Sequence, residues 1–139
     1  MLFSLSWDKE LGAGLMIQGI GIDSIEIERI KKACTRESFI FRVFTEKERK
    51  YCLNKKESAS SFAARFAAKE AVAKALGVGL GKISWQEIEI ENSNDKKPGV
   101  ILHGQAKNRF IEIQAKYVHI SLSHDKERAL AMVIIEGGE

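Results

Sequence analysis

Four side chains in this 139-residue sequence have the types and spacing for catalysis: Asp23, Glu70, Lys74 and His124. Glu70 and Lys74 lie in the alanine-rich run Phe62 to Gly77, FAARFAAKEAVAKALG. On a helix turning about 100° per residue, Glu70 falls in a lane with Ala63, Phe66, Ala67, Ala73 and Lys74, bordered by Phe62. A core-facing helix ordinarily puts Leu or Val there. A carboxylate among apolar neighbours carries a desolvation cost unless it is paired or bound to metal. An i,i+4 ion pair with Lys74 at the rim of a core would meet that cost. A ligand site would meet it too, and the surrounding alanines leave room for one. The same projection expects the solvated side of the helix near Ala68 and Val72, with Arg65 and Lys69 on the flank.

Asp23 ends the run GIGID, in which Gly19 and Gly21 allow another backbone or a ligand to come close. It reads either as a helix N-cap or turn residue, or as a second functional carboxylate. Two carboxylates from separate elements commonly hold Mg²⁺, with water and substrate phosphate oxygens filling the other positions. That chemistry requires the fold to bring Asp23 and Glu70 together. His124 follows Ser121-Leu122-Ser123 at a strand end, where an imidazole can reach a phosphate or a proton, or simply face solvent. The turn Gly77 to Lys82, GVGLGK, is only loosely like a phosphate loop. Ile83 stands where a P-loop requires Ser or Thr, which disfavours a Walker-type NTPase and leaves a helix cap and turn as the plain reading.

Charge is unevenly distributed. Arg29 to Lys56 holds ten Lys or Arg against three Glu, a local charge of +7, while the rest of the chain carries −4 within a net +3. Such a stretch suits an acidic partner, a polyphosphate or nucleic acid. A metal-dependent nuclease and a basic nucleic-acid-binding module are therefore rival readings. Nucleases commonly place Glu-x-Lys on a strand, whereas Glu70 and Lys74 have i,i+4 helical spacing. A binding module gives no reason for Glu70 in an apolar lane.

Those residues must be positioned by a small set of elements. Met16 to Asp23 alternates as a strand, and Ser24 to Ala33 has helical periodicity. Thr45 and Glu48 form a capping box for a helix to about Leu53, and a long helix runs from about Ala59 to Leu76, stopped by Gly77. A strand is expected across Ile83 to Asn92, a hairpin-type loop over Asn92 to Gly99, a short strand at Val100 to Leu102, and a helix over Gly104 to Ala115. Tyr117 to Ser123 turns Val118, Ile120 and Leu122 inward. With Ala129 to Ile135 it makes an antiparallel hairpin.

Helices and strands mix without a βαβ rhythm, so the expected class is α+β in a single domain. The long helix would pack on a small, mainly antiparallel sheet. Met16 opens the folded domain, residues 16–139, and residues 1–15 read as an N-terminal extension without a secretory leader. No apolar run approaches the roughly 20 residues of a membrane span. Cys34 and Cys52 lack partners at metal-ligand spacing, which points to reduced thiols and a cytoplasmic setting.

From Met16 onward the chain resembles the bacterial holo-acyl-carrier-protein synthases, a type of phosphopantetheinyl transferase. The resemblance is carried, in order, by GIGIDSIEIERI, FTEKE, FAARFAAKEAVAKALG and ISLSHDKERALAMVI. It implies transfer of the phosphopantetheine arm of coenzyme A to a serine of an acidic acyl carrier protein, in support of fatty acid biosynthesis. It also implies Mg²⁺ on Asp23 and Glu70, completed by the coenzyme A pyrophosphate. Lys74 and His124 would contact the phosphates, with Glu70, Lys74 and His124 as the catalytic set. Arg65, Lys56 and Gly79 would contact coenzyme A, and Arg29 the carrier protein. Relatives form homotrimers with active sites between subunits; nucleic acid and membrane are not implied as partners. Three positions depart from the pattern. Ser24 replaces an aliphatic residue, Lys56-Glu57 replaces a Lys-Arg pair, and Ser38 replaces a basic residue.

Overall fold

Strand β1 (Met16–Glu26) turns Gly19, Gly21, Asp23 and Ile25 toward the long helix α4 (Ser58–Leu76). The two glycines let strand and helix meet backbone to backbone. A Cβ at Gly19 would stand 1.9 Å from the Ala75 carbonyl oxygen, and one at Gly21 1.9 Å from that of Ala71. The computed structural model describes residues 14–92 and 97–138. The extension expected over residues 1–15 lies outside them except for Gly14 and Leu15, and the centre of the Asn92 to Gly99 loop lies outside them too.

The remaining elements follow in chain order. Helices α1 (Ile27–Ala33), α2 (Glu37–Val43) and α3 (Glu46–Leu53) precede α4. A 3₁₀ turn (Trp85–Glu87), β2 (Ile88–Asn92), β3 (Pro98–Leu102), α5 (Gly104–Glu112), β4 (Ala115–His124) and β5 (Arg128–Gly137) complete the chain. The main sheet has the order β1-β5-β4, antiparallel throughout, and β2-β3 is a separate antiparallel hairpin. This is the expected α+β architecture. The inner face of β5 is Ala129, Ala131, Val133 and Ile135, all fully buried, so small residues let α4 lie close over the sheet centre.

Helix α4 differs from its sequence projection in having no solvated side along most of its length. Ala68, Val72 and Lys69 are all at 0% exposure, and Arg65 is at 4%. The sheet covers one side of α4, while α1, α3 and β2 cover the other. Lys69 tolerates burial because its ammonium meets the Glu48 carboxylate at 2.9 Å. Desolvation still pushes the Lys69 ammonium below the ordinary lysine range, with Glu48 pulling the other way. The helix stops at Gly77, whose φ of 73° is the left-handed conformation expected of a C-terminal glycine.

An aromatic layer seats α4 on its second side. Phe66 stacks on Trp85 at 4.7 Å between centroids, and Phe62 packs on Phe44 at 4.8 Å. Each such ring buried contributes on the order of 2–3 kcal/mol. Helix α2 is short, and its inward residues Phe39, Ile40 and Val43 are spaced i, i+1, i+4, too few for a clear periodic signal between Ala33 and Glu46.

Several boundaries differ from expectation, and β3 begins at Pro98 instead of Val100 because Pro98 and Gly99 pair with Asn92 and Glu91. β1 continues through Ser24, Ile25 and Glu26, because these pair with Leu130, Ala129 and Arg128 of β5; the first helix therefore begins at Ile27. The strand expected from Ile83 starts only at Ile88, after a turn capped by Ser84 and Glu87. Helix α5 ends at Glu112, before Gln114 at φ 60°. The Thr45 and Glu48 capping box formed as expected.

Candidate active site

Because β1 runs past it, Asp23 sits within a strand and caps no helix; the N-cap at α1 is Glu26. Its side chain is only 17% exposed and points toward α4. There it meets Lys74, whose Nζ donates to Asp23 Oδ1 at 3.3 Å and to the Ile22 carbonyl at 2.9 Å. The Lys74 ammonium thus pairs across to the strand and not back along the helix to Glu70. Glu70, one turn earlier and half-buried, has its carboxyl pushed above the ordinary range, chiefly by burial and then by the negative charge of Asp23. Lys74 and Arg29 act on it in the opposite direction. Asp23, Glu70, Lys74 and Arg29 therefore form one electrostatic cluster from β1, α4 and α1.

The donor set suits a hard divalent cation. Two carboxylates beside each other raise the cost of ionising the second, and a cation between them removes it. No group of three His, Cys, Asp or Glu with metal-holding geometry occurs among the described residues. Asp23 and Glu70 are the two carboxylates of this cluster, and a cation held there would need water or substrate oxygens for its other positions.

A second group of expected residues lies elsewhere on the chain. A groove of about 590 Å³ runs along the outer edge of β4, lined by Tyr51, Ser60, Ser61, Arg65 and the strand residues up to His124. Arg65 donates from Nη1 to the Ser61 carbonyl at 3.3 Å and from Nη2 to Asn92 Oδ1. Its guanidinium lies 4.2 Å from the Tyr51 ring centre, and Lys55 covers the same ring at 4.5 Å. Arg65 Nε is buried without a hydrogen-bond partner among the described residues. The guanidinium brings a fixed positive charge to the groove wall, which favours an anion there.

His124 is exposed at the end of that groove, with Nδ1 3.3 Å from the Asp125 carbonyl oxygen. It shares the inner sheet face with Asp23 but pairs with Ala129, whereas Asp23 pairs with Ala131. With β5 between them and a two-residue offset along it, the two side chains start about 12 Å apart. The chain therefore brings Asp23, Glu70, Lys74 and Arg29 together and keeps Arg65 and His124 apart from them. Lys56, before α4, and Gly79, after it, are exposed and belong to neither cluster. Sequence reasoning missed Tyr51 and Asn92, the partners that hold Arg65; neither carries a local motif.

The 4'-phosphopantetheinyl transferase superfamily model matches residues 19–133, and the chain belongs to that superfamily. It is 46% identical over 124 residues to a holo-[acyl-carrier-protein] synthase of Geotalea daltonii, spanning 87% of this chain and 99% of the relative. A Bacillus anthracis holo-(acyl-carrier-protein) synthase in complex with CoA (3',5'-ADP) is 40% identical. It has a TM-score of 0.74 and covers 88% of this chain and 99% of its own. The Helicobacter pylori synthase in complex with coenzyme A is 35% identical, with a TM-score of 0.73 over 84% of this chain and 98% of its own. Membership removes the grounds for the nuclease and nucleic-acid-module readings.

Proposed function

We propose that Asp23 and Glu70 form the metal-binding centre of a phosphopantetheine transfer reaction. The chain transfers the phosphopantetheine moiety of coenzyme A to a serine of apo acyl carrier protein, giving holo carrier protein and adenosine 3',5'-bisphosphate. The observation that carries the metal assignment is the convergence of Asp23 and Glu70, from separate elements, beside Lys74.

The serine oxygen attacks the pantetheine-side phosphorus, a new P–O bond forms, and the bond to the leaving phosphate oxygen breaks. When bound, Mg²⁺ would offset the charge that builds on the diphosphate oxygens. Lys74 is over half exposed and reaches Asp23 at a long 3.3 Å, so its ammonium is available to substrate phosphate oxygens. Glu70 is one acceptor for the serine proton and a bound water the other. Arg65 and His124 receive the phosphates and adenosine end in the β4 groove, with Lys56 and Gly79 as weaker contacts. Positioning supplies much of the rate in such transfers.

Two further features support the resemblance-based assembly. The outer sheet face exposes Ile20 at 63%, Ile22 at 54% and Met132 at 43%, an apolar surface suited to other copies of the chain. A homotrimer placing the groove of one copy against the acidic pair of the next would join the two separate clusters. Arg29 stands at the start of the basic segment and next to the acidic pair, where an acidic carrier would present its serine. The Cys34 and Cys52 thiols, pushed up by burial to about 11 and about 12, fit reduced cysteines in the cytoplasm. The holo carrier product serves fatty acid synthesis.

Mass spectrometry of apo carrier protein incubated with the chain, coenzyme A and Mg²⁺ tests the reading. Asp23→Ala and Glu70→Ala should each lower transfer about a thousandfold with the fold intact. Retained activity with bound metal in either variant would contradict the assignment.

A further inference from the structure

The Lys69 side chain, next in sequence to Glu70, points away from the active site and is completely buried. Its ammonium donates to three acceptors: Glu48 Oε1 at 2.9 Å, the Trp85 carbonyl at 3.0 Å and the Ile88 carbonyl at 2.6 Å. Glu48 is equally occupied, accepting from Thr45 N at 2.8 Å and from Ile90 N at 2.7 Å. One buried ion pair thereby joins α4 to the first turn of α3, to the 3₁₀ turn and to β2.

The other side chains that grip α4, Phe62, Arg65 and Phe66, lie in its first half, and Lys69 is the charged residue buried deepest next to Glu70. The interior positions of α4 include Ala63, Ala64, Ala67, Ala68, Ala71, Ala73 and Ala75, which form shallow ridges. Its N-cap, Glu57, makes no side-chain cap hydrogen bond. Toward β1 the contact is smooth as well, since Gly19 and Gly21 press directly on helix backbone. A helix of small residues against glycines can slide or roll at modest cost, whereas a saturated buried ion pair permits one register. Glu70 is about 100° round the axis from Lys69, so whatever sets Lys69 sets where Glu70 emerges.

We infer that the buried Lys69–Glu48 pair is a positioning device for the active site, fixing the roll of α4 so that the Glu70 carboxylate is presented to Asp23. The inference rests on the metal reading of Asp23 and Glu70. Lys69 touches no substrate; it acts through Glu70. A merely structural ion pair would contribute stability alone, leaving folded protein with an unaltered metal site.

The test measures Mn²⁺ binding by electron paramagnetic resonance, with and without coenzyme A, in the wild type, Lys69→Met and Glu48→Asp. Lys69→Met removes the charge at nearly constant length, and Glu48→Asp keeps the pair but pulls it in by one methylene. Folding is checked by circular dichroism and gel filtration. The expected result is a half-saturating Mn²⁺ concentration about tenfold higher in Lys69→Met, the scale on which groups supporting metal ligands act. Glu48→Asp should show a smaller rise, with kcat lowered and carrier KM unchanged in both. A variant that folds as wild type and binds Mn²⁺ as wild type overturns the inference, whatever happens to its melting temperature. Glu48→Asp alone decides if Lys69→Met does not fold. Wild-type protein that binds no Mn²⁺ in either condition sinks the metal reading itself, and so is distinguishable.

Discussion

Adding one methyl group at Gly21 tests how closely the site depends on backbone contact between β1 and α4. The new Cβ would start 1.9 Å from the Ala71 carbonyl oxygen, against a closest tolerable approach of 3.0 Å. Strand and helix must therefore separate by roughly 1 Å, and a misplacement of that size at reacting groups costs about a hundredfold in rate. The carbonyl belongs to a buried helix and cannot swing aside, so the strain is shared by β1 and its pairing with β5. Overpacking of this kind costs about 1–3 kcal/mol. Asp23 is two residues along on the same strand face and moves with Gly21, whereas Glu70 stays with the helix. Gly21→Ala should thus lower the melting temperature and, in the folded fraction, reduce transfer about a hundredfold with weaker Mn²⁺ binding. Thermal unfolding and mass-spectrometric transfer assays read the two effects separately. Wild-type turnover in a folded but destabilised Gly21→Ala protein would refute the claim that this contact sets the distance between the carboxylates.

Two other perturbations have outcomes that follow from the same cluster. Glu70→Gln should stabilise the metal-free protein at neutral pH, as often happens when a strained active-site group is neutralised. The sign follows from Glu70 holding its proton more tightly folded than unfolded: its ionisation opposes folding above the ordinary carboxylate value of 4.5, and the advantage of Gln fades as pH falls through it. Mg²⁺ should invert the ranking by stabilising only the wild type, and a metal-free Gln variant less stable than wild type at pH 7 would count against the raised carboxyl. Arg29→Glu should raise the carrier KM about tenfold through lost charge complementarity, with coenzyme A affinity little changed; an effect confined to coenzyme A would place Arg29 on the wrong surface.

Much of the fold was legible because its signals were local. The Thr45-Glu48 box, the Gly77 stop and the alternation in β4 and β5 each depend on neighbours a few residues away. What escaped depended on distant partners. The cap reading of Asp23 falls only because Ser24, Ile25 and Glu26 pair with β5 and carry the strand past it. Lys69 projected to a flank because periodicity counts sides of a helix and not the layers packed on them; its burial rests on Glu48, twenty-one residues earlier, and on the Trp85 and Ile88 carbonyls. Of the candidate cluster, Glu70 stands out through the conflict between a carboxylate and its apolar lane, and Asp23 through its place after GIGI, but the pairing of Lys74 with Asp23 depends on a strand fifty-one residues away. The surroundings of Arg65 were not legible, since Tyr51 and Asn92 reach it from separate elements.

The distance between the acidic pair and the β4 groove has a genetic consequence. If each catalytic unit takes one half from each of two copies, a subunit damaged at Asp23 still offers a sound groove, and a subunit damaged at Arg65 still offers sound carboxylates. Two individually inactive proteins, unfolded together and refolded as a mixture, should then recover a fraction of turnover set by random subunit assortment. A chain that worked alone would recover none.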